Sequence, residues 1–235
     1  MTKPSIASTK SASNSTGITT VGIDVGGERK GFHAVALTDG RDPRCFSTTC
    51  VRELVRWCRK EVQARVIAVD APCSWSKKDE HSRLAERELM KNGIACFSTP
   101  IRATAIERKH QYSLGKASNY YGWMLRGEEL FEALAEEFPL CRKLPAAGRK
   151  CCFETFPHAI TWHLRGGTAD ASQKRIQRRA LLEEAGVDIA DLTNIDLVDA
   201  ALCALTAHYA ATGKECASFG EPDTGLIIVP KKQKS

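Results

Sequence analysis

Near its C-terminal end the chain reads NIDLVDAALCALTAHY over residues 194–209, a helix-forming run that opens on two carboxylates and then turns apolar. Asp196 and Asp199 are three residues apart, so a helix projects them from one face. Ala200, Cys203, Ala204 and Ala207 carry that side onward with small residues. Nothing bulky stands on this face, so the helix can lie close against a flat partner, which a β-sheet supplies. A closely packed helix does not aim two unpaired carboxylates at its partner, because buried like charges are costly. A cation must stand between them, and a divalent metal ion with further oxygen ligands from elsewhere in the chain meets that need.

The rest of the chain offers such a sheet. From Thr19, TTVGIDV is a β-branched run, followed by the turn GGERKG and the apolar run FHAVAL, which predicts a strand, a turn and an antiparallel partner. RCFSTT (44–49) supplies a third strand of the same meander. VRELVRWCRKEV (51–62) has apolar residues at helical spacing, and RVIAVD (65–70) reads as a strand buried on both faces. The segment 74–150 is polar and mostly helical, with helices expected over 82–93 and 117–137. KCCFETFPH (150–158) predicts a strand broken at Pro157, 171–185 a helix stopped by Gly186, and GLIIVP (225–230) a last short strand. This order of elements is that of an α/β, RNase H-like mixed sheet with flanking helices and a helical insertion. The expected layout is a disordered tail over 1–18, one domain over 19–230 with the insertion at about 74–150, and a basic tail over 231–235.

Three predicted strands end on carboxylates: Asp24 closes VGIDV, Asp70 closes VIAVD, and Glu154 lies in CFETFP. Parallel strands of an α/β sheet bring their C-terminal ends to one edge, where ligands bind. With Asp196 and Asp199 packed across that edge, four or five oxygen donors converge. Hard oxygen donors select Mg²⁺ or Mn²⁺ over zinc. Two such ions about 4 Å apart activate a water and stabilise the leaving oxygen of a phosphodiester. Each acid also has a structural explanation. Asp24 can accept turn amides, Asp70 can cap the following segment, and Asp196 offsets the helix dipole. Asp199 has no such capping role.

These stretches resemble a family of predicted nucleases numbered 429 among the domains of unknown function, within the RNase H-like superfamily. The resemblance rests on GIDVGG (22–27), VIAVDAPCSWS (66–76), SRLAERELMKNGIACFSTP (82–100), ETFPH (154–158), IDLVDAALCALTAHY (195–209) and GLIIVP (225–230). It implies acidic site positions at Asp24, Asp70, Glu154, Asp196 and Asp199. The DxxDA helix is also similar to that of bacterial Holliday-junction resolvases. Family members often carry two successive acids ahead of this helix, and here Ile195 holds the first of those places.

The formal net charge of +6 does not describe the body of the protein. Five lysines (3, 10, 231, 232 and 234) lie in the tails, so any nucleic-acid surface must be a local patch. The 171–185 helix offers one. Lys174, Arg175, Arg178 and Arg179 crowd its first half and Glu183 and Glu184 its end, against the preference of the helix dipole. A nucleic-acid backbone would neutralise these cations, whereas the alternative is a solvated face. His33, His158 and His163 are candidates for proton transfer or phosphate contact. Tyr112, Tyr120, Tyr121 and Trp123 are candidates for base stacking, with packing within the insertion as the alternative. The ten cysteines show no CxxC pair, so they read as reduced thiols rather than a zinc site. No apolar run reaches membrane-spanning length and no secretory signal opens the chain, so no membrane partner and a cytoplasmic location are expected.

The leading expectation is a metal-dependent nuclease hydrolysing phosphodiester bonds with Asp24, Asp70, Glu154 and Asp199 as catalytic residues. Asp24, Asp70, Asp196 and Asp199 would hold Mg²⁺ or Mn²⁺, with DNA or RNA, branched or single-stranded, as partner. Two alternatives stay open: a phosphotransferase of the actin-like superfamily, since GIDVGG also suits a phosphate turn, and an RNase H-like module that binds nucleic acid without turnover.

Overall fold

The central strand β1 (Thr19–Val25) carries the fold because its two faces differ. Val21, Ile23 and Val25 belong to one core, while Gly22 on the other side leaves room for a helix backbone. The computed structural model describes residues 17–232 except 117 and 145. Around β1 it builds a sheet of seven strands in the order β3-β2-β1-β4-β5-β7-β6. β2 (Phe32–Thr38) and β3 (Asp42–Thr48) continue β1 as an antiparallel meander. On its other side β1 pairs in parallel with β4 (Val66–Asp70), and β4 with β5 (Cys151–Glu154). β6 (Cys216–Glu221) and β7 (Gly225–Pro230) close the far edge as a hairpin, with β7 parallel to β5.

Helix α1 (Val51–Arg56) runs on as a π-helical turn over Trp57–Glu61 and covers one face. In the insertion follow α2 (Leu84–Lys91), α3 (Arg102–Ser113) and α4 (Gly122–Leu134). Leu130, Phe131 and Leu134 of α4 join Leu54 and Trp57 over Val21, Ile23, Ile67 and Val69. The opposite face takes α5 (Pro157–Leu164), α6 (Lys174–Glu184) and α7 (Ile195–Thr212). α7 is buried along nearly its whole length, capped by the Asn194 side chain at its start and by Gly213 in the left-handed region at its end. Thr20 donates its hydroxyl to the Ala204 carbonyl at 3.1 Å, which pins the helix to β1.

Three elements differ from the sequence expectations. Pro157 does not merely end a strand. It occupies the first turn of α5, where its missing N–H costs nothing. α3 carries no apolar stripe, and only Ala105 in it is buried. β6 is a half-exposed edge strand with no buried residue. The tail readings fall on residues 1–16 and 233–235, which lie outside the described residues. Of the remainder, Ile18 accepts a backbone hydrogen bond from Asp39 at 2.9 Å. Among the described residues no helix is long and apolar enough to cross a membrane.

Candidate metal centre

Strand pleating decides which acids meet. In the parallel pairing Asp24 stands in register with Asp70. Both share the parity of Gly22 and Ala68, the face on which α7 lies. They therefore turn toward the helix that carries Asp196 and Asp199. Glu154 stands in register with Val69, on the opposite face. There both its oxygens accept from Arg83, at 2.7 Å each, and one also accepts the Cys73 amide at 2.9 Å. The structure thus turns Asp24, Asp70, Asp196 and Asp199 toward one side of the sheet and commits Glu154 to Arg83, from where its charge still bears on Asp70.

Two cations stand among the aspartates. Lys30 folds back from the Gly26–Gly31 turn and bridges Asp24 at 3.1 Å and Asp196 at 2.8 Å. Its stem crosses Gly26 where a side chain would have to be. Arg178 reaches across from α6 and pairs with Asp199. It belongs to the buried stripe Arg178–Leu181–Leu182 of α6, so it faces the site rather than a ligand on the outer surface. Its Nε–H is buried with no acceptor among the described residues. Arg179 donates to the Leu192 carbonyl and fastens the loop before α7. Of the four basic residues read as a nucleic-acid surface, Lys174 and Arg175 remain exposed on it. His33, in register with Asp24, hydrogen-bonds Ser47 through Nδ1 at 2.9 Å and turns Nε2 to Asp196 at 3.7 Å. Sequence reading passed over Lys30 and Arg83. A lysine in the turn directly after the Asp24 strand was the available signal for the first.

The electrostatics are those of an under-neutralised cluster. Burial holds the Asp24 carboxyl above its usual range, Lys30 pulls it back, and Asp196 raises it again. Asp70 lies well above its range through burial and the charges of Asp24 and Asp199. Burial lifts Asp199 to about 6 in spite of Arg178, with Asp24 adding to the rise. Beneath them Cys203 of α7 is fully buried and kept a thiol by burial and the three carboxylates. Among the described residues no hydrogen bond or ion pair reaches the Asp70 carboxylate. A cation would relieve all three groups, and the donors are hard oxygens, so the set fits Mg²⁺ or Mn²⁺ in charge and chemistry. Among the described residues, however, no three His, Cys, Asp or Glu side chains already stand grouped to hold a metal ion.

A pH dependence follows. The unfolded chain releases these protons near pH 4, the folded chain releases that of Asp199 near 6 and those of Asp24 and Asp70 above the ordinary range. Between those values the folded state binds more protons, so this cluster lowers stability as pH rises. In EDTA, Asp70→Asn is expected to melt above the wild type at pH 7 and level with it at pH 4. Thermal denaturation at the two pH values checks this.

A β3-β2-β1-β4-β5 order with one antiparallel meander and two parallel neighbours, acids ending β1 and β4, and an acid-headed helix laid across them define an RNase H-like α/β protein. The chain belongs to the family described as Protein of unknown function (DUF429), which matches residues 22–224. It is similar to the Thermus thermophilus RuvC structure at 16% identity, with a TM-score of 0.38, over 82% of this chain and 95% of that one. No curated protein matches it.

Proposed function

We propose that this protein is a metal-dependent nuclease that hydrolyses phosphodiester bonds at the Asp24–Asp70–Asp199 site. The observation that carries the reading is the unneutralised Asp70 carboxylate, in register with Asp24 and facing Asp199. In this reading Asp24, Asp70 and Asp199 hold Mg²⁺ or Mn²⁺, with Asp196 beside them. A bound ion there supplies an activated water and stabilises the leaving oxygen. Lys30 and Arg178 neutralise Asp24, Asp196 and Asp199 in its absence. Released from those carboxylates they face the phosphate, and the free Nε–H of Arg178 adds a donor for it. Lys174 and Arg175, exposed on the same helix, extend the cationic surface along a nucleic-acid backbone. Glu154 acts at one remove, by fixing Arg83 and the Cys73 amide at the end of β4. A phosphate turn of the actin-like kind receives less support. The Gly26 and Gly31 amides are spent within their own turn, on the Gly31 and Gly27 carbonyls, both at 2.8 Å.

The test is a cleavage panel of linear and branched DNA, RNA and hybrids with Mg²⁺ or Mn²⁺, run beside Asp24→Asn and Asp70→Asn. Wild type is expected to cut at least one substrate, and each variant to lose about a hundredfold in rate. Mn²⁺ is expected to raise the melting temperature of wild type at pH 7 and to leave Asp70→Asn unmoved. Equal activity in wild type and both variants removes the assignment.

A further inference from the structure

Beyond the aspartates, on the α4 side of the same sheet edge, lies a cavity of about 210 Å³. Phe97, Trp123, Phe156 and Met124 form its walls, and Asp70 lines it as well as standing in the carboxylate cluster. We propose that this cavity receives one nucleobase of the strand whose phosphodiester lies at Asp24 and Asp70. The assignment rests on the nuclease reading for what delivers the base, and on the cavity itself for what is bound.

Size and chemistry both point to a single planar ring system. Pockets for larger organic ligands run to about 300–1,000 Å³, so this one admits a fragment. Three aromatic side chains line it, and stacking on an aromatic ring is the contact every base can make. Beyond the mouth the aromatic surface continues. Phe97, 61% exposed, meets Tyr120 edge-on at 6.0 Å, and Tyr120 meets Tyr121 at 4.9 Å. Two exposed rings, Phe97 and Tyr120, with the half-buried Tyr121 beside them, next to a cavity at a phosphate site, suit a splayed strand.

The same wall says how selective the pocket is. Arg83 donates to Glu86 and Glu154, the Thr99 hydroxyl to Glu86, and the Thr155 hydroxyl to the Ile228 carbonyl. These polar lining groups are spent on partners within the protein. With Asp70 committed to the ion, the Trp123 indole N–H is, among the described residues, the lining side-chain group left for a base edge. Discrimination among bases by hydrogen bonding is therefore weak, and stacking dominates.

Calorimetric titration of wild type with four nucleoside 5′-monophosphates and with ribose 5-phosphate tests the pocket without any cleavage. The four nucleotides are expected to bind within about threefold of each other and about tenfold more tightly than ribose 5-phosphate, the effect of one base–aromatic stack. Phe97→Ala, on an exposed side chain, and Trp123→Ala are each expected to shrink that difference. Equal binding of nucleotide and ribose 5-phosphate by wild type overturns the pocket, whatever the cleavage panel shows. Base-dependent binding that both variants weaken upholds it, even in a protein that cuts nothing, where the nuclease reading alone has failed. In a protein that cuts, an abasic site placed beside the scissile bond is expected to slow cleavage about tenfold. Undiminished cleavage with an abasic site at every flanking position also overturns the pocket.

Discussion

Alanine at Gly22 is expected to cost the fold more than about 4 kcal/mol, an exceptional loss for one methyl group in a protein stable by about 5–15 kcal/mol. A Cβ there would be driven into the Ala200 carbonyl oxygen and the Ala204 amide nitrogen, and would lie 2.7 Å from the Cys203 carbonyl carbon. These are main-chain atoms, so trimming side chains on α7 cannot make room. Only withdrawal of the helix can. That would break the Thr20–Ala204 hydrogen bond and loosen the apolar seam among Ala200, Cys203, Ala204 and the sheet. Gly27, five residues on in the same GIDVGG motif, is the control. Among the described residues a Cβ there meets nothing within 4 Å, so Gly27→Ala is expected to stay within about 0.5 kcal/mol of wild type. Urea denaturation of both variants reads the contrast, and a Gly22→Ala protein as stable as Gly27→Ala would mean that α7 does not lie this close to β1.

That close approach also explains what could be read beforehand. A stripe of Ala200, Cys203, Ala204 and Ala207 on one helix, and a glycine inside a β-branched strand, are two halves of one contact visible in the chain. The first two strands of the meander, the buried strand over 66–70 and the terminal helix were legible for the same reason, because their burial is nearly complete. α3 and β6 were not, since α3 buries little beyond Ala105 and β6 is only half-buried along its length, so neither leaves a clear pattern. In the site, Asp24, Asp70 and Asp199 could be placed on one edge from strand ends and helix spacing. The partners that neutralise them come from a turn and from another helix, contacts that no local spacing encodes. Arg178 shows the limit well. Its basic neighbours suggested a surface, yet its spacing to Leu181 and Leu182 puts it on the buried side of α6.

Glu154 points away from the other expected site acids for a reason that register alone supplies, and the second large effect follows from it. Aligning β4 with β5 sets Glu154 beside Val69 and not beside Asp70, so the pleat turns it to the opposite face. There Arg83, almost fully buried, binds Glu154 with two parallel hydrogen bonds and Glu86 with its Nε. Arg83→Met would strand two buried carboxylates, and is expected to cost about 3–5 kcal/mol. Removing the Glu154 charge as well, in Arg83→Met/Glu154→Gln, keeps an acceptor for the Cys73 amide and is expected to recover part of that loss. The cation response separates this role from metal ligation. Glu154→Gln is expected to lower stability at pH 7 while keeping the Mn²⁺-induced rise in melting temperature, because its side chain lies across the sheet from Asp24 and Asp199. If Glu154→Gln instead kept full stability and lost the Mn²⁺ response, as Asp70→Asn is expected to, Glu154 would belong with the ligands and the Arg83 pair would be incidental.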